Sequence, residues 1–126
     1  MKNILIIEDD AVVGFVYRTQ FEKHGFAVEC VTDGPSGLSR IQEVQPDGIV
    51  LDLMLPGMNG LDILKHIRAQ EQFSKTPVIV FTNAYVPALI EEAMKAGATR
   101  VFNKSEATPA ELVEALKLAG CSAQDQ

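Results

Sequence analysis

The sequence predicts a doubly wound α/β domain, a (βα)5 sandwich built on a parallel five-stranded sheet. Five short apolar runs alternate along the chain with segments whose apolar residues recur at helical spacing. Several runs are continuously apolar and rich in β-branched residues, as in strands buried on both faces of a parallel sheet. The chain has 126 residues, of which 47% are hydrophobic, enough for one domain with its own core.

The apolar runs define the five predicted strands. They lie at residues 4–7, 26–31, 48–51 and 78–81, with a weaker run at 98–102. The second run mixes polar with apolar residues, which favours a place at an edge of the sheet. Five βα units in one domain predict a parallel sheet with right-handed crossovers. The flavodoxin-like strand order 2-1-3-4-5 is the expected topology.

The first three helical segments follow the first three runs. The apolar stripe of the first segment comprises Val13, Val16, Tyr17 and Phe21. Asp10 stands at the start of this segment as a predicted cap, and Gly25 supplies a stop signal at its end. The next two segments carry apolar residues every three positions, from residue 38 to 44 and from residue 61 to 67.

The last two helical segments have clear end signals. The fourth extends from residue 87 to 96 and stops at Gly97. The fifth opens with Thr108 as the cap, Pro109 at the first helical position and Glu111 three residues after the cap. This arrangement predicts a capping box, in which side chains bond the free N–H groups of the first turn.

Composition narrows the classes of function. The net charge of -6 and a pI of about 4.8 argue against direct binding of nucleic acid, which favours basic surfaces. Neither a secretory signal nor a run of about 20 apolar residues occurs, so we expect a cytoplasmic protein with no membrane partner. Cys30 and Cys121 lack metal-ligand spacing and are expected to be reduced thiols. The predicted domain covers residues 1–120, and residues 121–126 form a polar C-terminal tail.

Chemically active side chains follow four of the predicted strands. Glu8 and Asp9 follow the first run, Asp52 the third, Thr82 the fourth and Lys104 the fifth. Taken singly, such residues are usually caps, turn formers or solvated surface. In open α/β sheets, however, ligands bind at the carboxyl ends of the strands. The four residue types at these strand ends therefore predict one shared site.

The chemistry of these residues suits phosphoryl transfer to a carboxylate. The carboxylates of Glu8, Asp9 and Asp52, crowded at one place, would repel one another and call for a cation, and oxygen ligands suit Mg²⁺. Asp52 would be the nucleophile. Lys104 would pair with Asp52 and with a phosphoryl oxygen, while the Thr82 hydroxyl would donate to another oxygen.

Longer motifs surround these residues. They are the segments 4–10, 47–60 and 76–82, together with Gly97-Ala98 and Lys104. With these motifs the chain resembles the receiver domains of two-component response regulators over about residues 2–119. The stretch from Asp52 to Gly60 is the most specific of them.

The resemblance implies a role for each site residue. Asp52 is the phosphoacceptor, and Asp9 and Asp52 bind Mg²⁺ directly, with Mn²⁺ as an alternative metal. Glu8 supports the metal through water, and the backbone carbonyl of Met54 is the third protein ligand. Thr82 and Lys104 contact the phosphoryl group.

The resemblance also implies the partners. The phosphoryl donor is a phosphohistidine on a sensor histidine kinase or phosphotransfer protein. The phosphorylated domain then acts on a downstream protein target, and formation of a homodimer on phosphorylation is one form of that switch. The protein assists its own phosphorylation and turns over no external substrate.

Three positions depart from the family pattern. Ser105 stands where the family usually has proline, Asn83 is bulkier than the usual small residue, and Val101 replaces the usual switch aromatic. Val101 is short and stiff at χ1, while Phe102 is expected to be committed to the core by strand alternation. We therefore hypothesise that phosphorylation rearranges the loop at residues 83–87, with Tyr85 moving.

Other functions remain as alternatives. A degenerate receiver that binds a protein without phosphorylation is the main one. A haloacid-dehalogenase-like phosphatase would place a second acid two residues after the nucleophile, where this chain has Met54. A flavin-binding electron carrier would need a phosphate-binding loop after the first strand, and none occurs there.

Overall fold

The computed structural model describes residues 1–121, which form five parallel strands, five α-helices and one turn of 3-10 helix at Glu71–Phe73. The strands are β1 (Asn3–Ile7), β2 (Ala27–Val31), β3 (Gly48–Asp52), β4 (Val78–Thr82) and β5 (Arg100–Asn103). The helices are α1 (Ala11–Lys23), α2 (Gly34–Val44), α3 (Gly60–Ala69), α4 (Pro87–Lys95) and α5 (Pro109–Leu118). The sheet order is β2-β1-β3-β4-β5. The predicted fold class and strand order are confirmed.

The hydrophobic core has two halves, one on each face of the sheet. Alternate residues of the central strands face alternate layers, so Leu5 and Ile7 pack under α2 and α3, whereas Ile4 and Ile6 pack under α1 and α5. Each such side chain contributes about 1.5–3 kcal/mol when it is withdrawn from water. This burial on both faces explains why the central runs are continuously apolar.

The predicted apolar stripe of α1 is wrong at one position. Val16 is 48% exposed, whereas Gly14, Tyr17 and Phe21 are the buried residues of the helix. Val16 lies about 100° around the helix from Tyr17 and therefore falls on the flank of the stripe. Gly14 instead faces the edge strand β2, where its carbonyl oxygen lies 3.6 Å from the Sγ atom of Cys30.

The predicted helix ends are confirmed. The Asp10 carboxylate accepts hydrogen bonds from the N–H groups of Val12 and Val13 at the start of α1. Thr108 and Glu111 form the reciprocal bonds of the capping box at the start of α5. Cys121, the first residue of the predicted tail, is buried in the core. The other tail residues, 122–126, lie outside the described residues, so the domain boundary stays a prediction.

No helix within residues 1–121 combines the length and the apolar character needed to cross a lipid bilayer.

Gly60 sets the distance between α3 and the end of β3. A Cβ atom at this position would overlap the Cα atom of Leu53 and would lie 2.9 Å from the carbonyl oxygens of Asp52 and Leu53. The Gly60 N–H donates to the Leu53 carbonyl at 3.1 Å. The first turn of α3 is thus packed directly on the backbone of the strand that carries Asp52.

We expect Gly60→Ala to reduce the free energy of unfolding by about 3 kcal/mol, because backbone atoms cannot make room for the added methyl group. Urea unfolding measures the change. Gly14→Ala is the control: this helix residue has only ordinary contacts around a Cβ atom, and alanine there should be neutral or stabilise by up to about 1 kcal/mol. Equal effects of the two substitutions would show that the close approach at Gly60 is not required.

Candidate functional site

The carboxyl ends of four neighbouring strands meet at one edge of the sheet. Asp52 at the end of β3 is paired in register with Phe81 of β4, and Thr82 is paired with Asn103 of β5. Glu8 follows β1, the strand on the other side of β3. The topology therefore brings together the residues that sequence analysis assigned to one site.

Three carboxylates and one ammonium group form the centre of the site. Glu8, Asp9 and Asp52 each offer an oxygen atom, and these atoms lie within 4.8 Å of one another. The Nζ atom of Lys104 lies 3.0 Å from Oδ2 of Asp52 and 2.5 Å from Oε1 of Glu8. The predicted cluster is therefore formed, with more negative than positive charge. Oxygen ligands with excess negative charge fit a divalent cation such as Mg²⁺.

Burial differs between the members of the cluster. Glu8 and Asp52 are each 2% exposed, and the Lys104 side chain is 14% exposed, whereas Asp9 is open to solvent. Burial raises the pKa of Glu8 to about 7, with smaller raising effects from Asp9 and Asp52, against the opposing effects of Lys104 and the Asp10 N–H. Burial alone would lower the pKa of Lys104, but its contacts with Glu8 and Asp52 outweigh burial and raise it. For Glu8, the surrounding contacts therefore offset the cost of removing its charge from water only in part.

The raised pKa of Glu8 predicts a pH dependence of stability without metal. The folded protein holds the Glu8 proton up to about pH 7, whereas the unfolded chain releases it near its ordinary value. The stability that this proton contributes is complete below about pH 4.5 and is lost as the pH rises through 7. In EDTA, Glu8→Gln should therefore gain stability relative to the wild type, by roughly 2 kcal/mol between pH 5 and pH 8.

Glu29→Gln is the control for this comparison. Hydrogen bonds from Arg40 lower the pKa of Glu29. The stability that the ionised Glu29 carboxylate contributes is therefore lost only at acid pH. In urea unfolding, the difference in free energy of unfolding between Glu29→Gln and the wild type should not change between pH 5 and 8. A flat difference for Glu8→Gln as well would contradict the assigned cost of the buried Glu8 charge.

Both oxygens of Asp52 are held in place. Oδ1 accepts a hydrogen bond from the Met54 N–H at 3.0 Å, and Oδ2 accepts one from the Lys104 ammonium, also at 3.0 Å. The Met54 side chain is exposed, and only the backbone N–H of Met54 takes part in these contacts. Metal binding by the Met54 carbonyl stays a prediction.

The turn that carries Lys104 has its own support. The Lys104–Ser105 peptide bond is trans, as are the other peptide bonds of residues 1–121. Oδ1 of Asn103 accepts hydrogen bonds from the N–H and the hydroxyl of Ser105, at 3.1 and 2.8 Å, and the Lys104 N–H donates to the Thr82 carbonyl at 3.0 Å. A side chain bonded to the backbone two residues on is a common turn device. Lys104 therefore reaches Asp52 although Ser105 replaces the usual proline.

Thr82 is fully buried at the end of β4. Its hydroxyl oxygen accepts a hydrogen bond from the Ala84 N–H at 3.1 Å, which leaves the hydroxyl hydrogen able to donate. The contact of Thr82 with a phosphoryl oxygen stays a prediction, and so does the effect of the exposed Asn83 on access to Asp52.

Two aromatic residues beside Lys104 were not assigned to the site from the sequence. The Lys104 Nζ atom lies over the Phe81 ring, 5.4 Å from its centroid. The Tyr17 ring packs against Phe81 edge to face, with centroids 5.0 Å apart. The sequence placed both residues in apolar stretches typical of core, and only the register of β4 with β3 and β5 places Phe81 beside the site.

Neighbouring side chains of β5 lie on opposite faces of the sheet, as expected from strand alternation. Val101 packs against the core half under α3 and α4, and Phe102 packs against the opposite half. Tyr85 is 42% exposed and lines a shallow cavity of about 180 Å³ together with Arg100 and Phe102. The movement of Tyr85 on phosphorylation stays a prediction.

Comparison with known proteins gives one consistent result. The family model "Response regulator receiver domain" matches residues 4–117. The curated relatives include the sensory transduction protein RegX3 of Mycobacterium tuberculosis, 40% identical over 82 residues, which are 65% of this chain and 35% of that protein. Another is the DNA-binding response regulator MtrA of Mycobacterium leprae, 36% identical over 81 residues, 64% of this chain and 35% of that protein. The matches thus span about a third of the length of these relatives.

Solved structures of response regulators superpose on this protein over nearly its whole length. The chemotaxis response regulator CheY4 of Vibrio cholerae is 27% identical with a TM-score of 0.86, covering 94% of this chain and 98% of that one. The receiver domain of the Francisella response regulator 1452 is 27% identical with a TM-score of 0.86, covering 94% and 96%. The fold, the strand-end site and the family match over most of the chain together show that this protein belongs to the family of response regulator receiver domains.

Proposed function

We propose that Asp52 accepts a phosphoryl group in a Mg²⁺-dependent reaction and that phosphorylation changes the affinity of the domain for a partner protein. The donor is a phosphohistidine of a sensor histidine kinase or phosphotransfer protein. The proposal rests on the environment of Asp52. This buried carboxylate lies in a cluster of acids, and its two oxygens accept hydrogen bonds from the Met54 N–H and the Lys104 ammonium group.

The transfer needs few chemical steps from the protein. An oxygen of Asp52 attacks phosphorus, and the P–N bond to the donor imidazole breaks as the O–P bond of an acyl phosphate forms. The electron pair of the broken bond stays on that ring nitrogen, and the imidazole leaves as a neutral ring because its other nitrogen carries a proton. Lys104 moves from the carboxylates to a phosphoryl oxygen, and the Thr82 hydroxyl donates to another. Such catalysis is positioning together with electrostatic stabilisation.

The carboxylate cluster fits a divalent metal. Asp9 and Asp52 would bind Mg²⁺ or Mn²⁺ directly, Glu8 through water and Met54 through its carbonyl oxygen. When bound, the metal would neutralise negative charge on the phosphoryl oxygens. Without such charge compensation, the three carboxylates would oppose the approach of a phosphoryl group.

The chain is proposed as a signalling module and not as an enzyme with an external substrate. The assembled contacts of Asp52 with Lys104 favour phosphorylation over the alternative of a degenerate binding module. DNA binding, named for MtrA, is not proposed for this domain, because its net charge is -6 and nucleic-acid surfaces are basic.

The intact mass of the protein after incubation with acetyl phosphate tests the proposal. We expect the added mass of one phosphoryl group with Mg²⁺ and none with EDTA. A protein whose mass stays unchanged in both would support the unphosphorylated binding module.

The switch is expected to run through the loop at residues 83–87. A beryllium fluoride mimic of the phosphoryl group, added with Mg²⁺, should shift the NMR ring signals of Tyr85, because Thr82 would be drawn toward the mimic and Val101 has no large rotamer change to make. Tyr17→Phe removes the other tyrosine and simplifies the spectrum. Unchanged Tyr85 signals with large changes at Val101 and Phe102 would show that the switch runs through β5.

A further inference from the structure

We propose that Phe81 is a positioning residue of the site: its ring, backed by Tyr17, is an aromatic seat that holds the Lys104 ammonium group beside Asp52. The kinetic consequence rests on the proposed function. The placement of the ammonium group on the ring does not, and it can be tested separately.

The contact geometry supports an attractive interaction. The Nζ atom lies 5.4 Å from the centroid of Phe81, within the range of about 6 Å in which a cation is attracted to a ring face. Phe81 is fully buried and the Lys104 side chain is largely buried, so water weakens this attraction little. Tyr17 packs edge to face on Phe81 with an interplanar angle of 75°, which fixes the orientation of the Phe81 ring.

The site needs such a support because lysine is a point charge on a flexible four-carbon stem. Two carboxylates compete for its ammonium group, with Glu8 at 2.5 Å and Asp52 at 3.0 Å. In the proposed reaction Lys104 must leave these carboxylates for a phosphoryl oxygen. The Phe81 ring attracts the ammonium group without adding negative charge, and phosphorylation of Asp52 does not alter the ring chemically. It can therefore hold the ammonium group near Asp52 in both states.

The position of Phe81 in the sheet makes this role specific. It lies directly beside Asp52 on one side and beside Phe102 on the other. Leucine at this position would fill most of the same core space, but it offers no ring face to a cation. The aromatic character of residue 81, and not its volume, is the property that the proposal concerns.

Phe81→Leu and Phe21→Leu form a matched pair for the test. Phe21 is also fully buried, lies in the same half of the core and packs edge to face on Phe26, away from Lys104. Both variants should lose similar stability. In the wild type and Phe21→Leu, the NMR signals of the Lys104 ε-methylene protons should show the upfield shift caused by a ring, and in Phe81→Leu this shift should disappear.

Phosphorylation kinetics test the consequence. With acetyl phosphate and Mg²⁺, Phe81→Leu should slow phosphorylation by about three- to tenfold, the range expected when one partly buried cation–π contact is lost. Phe21→Leu should be near the wild-type rate. In a Lys104→Met background, Phe81→Leu should add no further slowing, because the ammonium group that it positions is gone.

Two results would overturn the seat. One is a wild-type Lys104 ε-methylene signal at the chemical shift of an unstructured lysine. This measurement uses the wild type alone and does not depend on the folding of any variant. The other is equal slowing by Phe81→Leu and Phe21→Leu. If the wild type takes up no phosphoryl group, the proposed function fails, and the Lys104 signals alone then decide whether the seat exists.

Discussion

Asp52→Asn should reduce phosphorylation by acetyl phosphate to background, at least about a thousandfold below the wild type, while the domain stays folded. The amide keeps the shape of the side chain but removes the nucleophilic carboxylate. The change also removes one of two carboxylates buried against Lys104, so it relieves repulsion with Glu8 while leaving Lys104 one partner. We therefore expect stability close to that of the wild type in EDTA.

Asp33→Asn is the control for this experiment. Asp33 follows the edge strand β2 and caps α2 by accepting a hydrogen bond from the Ser36 N–H. Asparagine caps helices about as well as aspartate, so this variant should keep both fold and phosphorylation. Intact mass measures phosphate uptake, and urea unfolding measures stability. Uptake by Asp52→Asn to the wild-type extent would place the acceptor elsewhere.

The fold was predictable from the sequence because its signals are local. Strands buried on both faces are apolar along most of their length, and β1, β3 and β4 meet that condition at residues 4–7, 48–51 and 78–81. The caps at Asp10 and Thr108 act within a few residues. The candidate site was predictable for a related reason, since a parallel sheet gathers the residues that follow its strands at one edge.

The features that sequence analysis missed depend on contacts between distant segments. Arg68 is an example: its Nε atom donates to the Gly97 carbonyl at 2.9 Å, and its Nη1 atom donates to the carbonyls of Phe73 and Thr76 at 2.7 and 2.6 Å. This guanidinium ties the end of α3 to the chain before β4 and after α4. No spacing or motif in the sequence marks it, because its partners are backbone atoms.

The aromatic seat was missed for the same kind of reason. Phe81 has the same hydrophobic character as its neighbours in β4, and its contact with Lys104 arises from the register of β4 with β5. Val16 was misplaced in the core because helical periodicity gives the centre of an apolar stripe more reliably than its borders. Sequence patterns thus predicted which residues reach the site edge, but not what packs beside them.

The second large effect concerns the metal. At a Mg²⁺ concentration about tenfold above its dissociation constant, ligand linkage stabilises the folded wild type by about 1.4 kcal/mol, which raises its melting temperature by several degrees. Asp9→Asn should abolish this rise. Asp9 is the exposed carboxylate of the cluster and makes no ion pair with Lys104 within 4.0 Å among the described residues. It is therefore free to bind a cation without first breaking an internal ion pair.

Asp10→Asn separates metal ligation from a general effect of charge. Asp10 is the neighbouring acid, and its carboxylate caps α1, a role that asparagine also fills. Both variants remove one negative charge from the same edge of the sheet, so a weak, diffuse attraction of Mg²⁺ would fall equally in both. We expect the Mg²⁺-dependent melting shift to persist in Asp10→Asn and to vanish in Asp9→Asn, measured with EDTA as the reference. If Asp9→Asn kept the wild-type shift, Asp9 would not be a metal ligand, and the cation would have to be held by the buried pair Glu8 and Asp52 against the competition of Lys104.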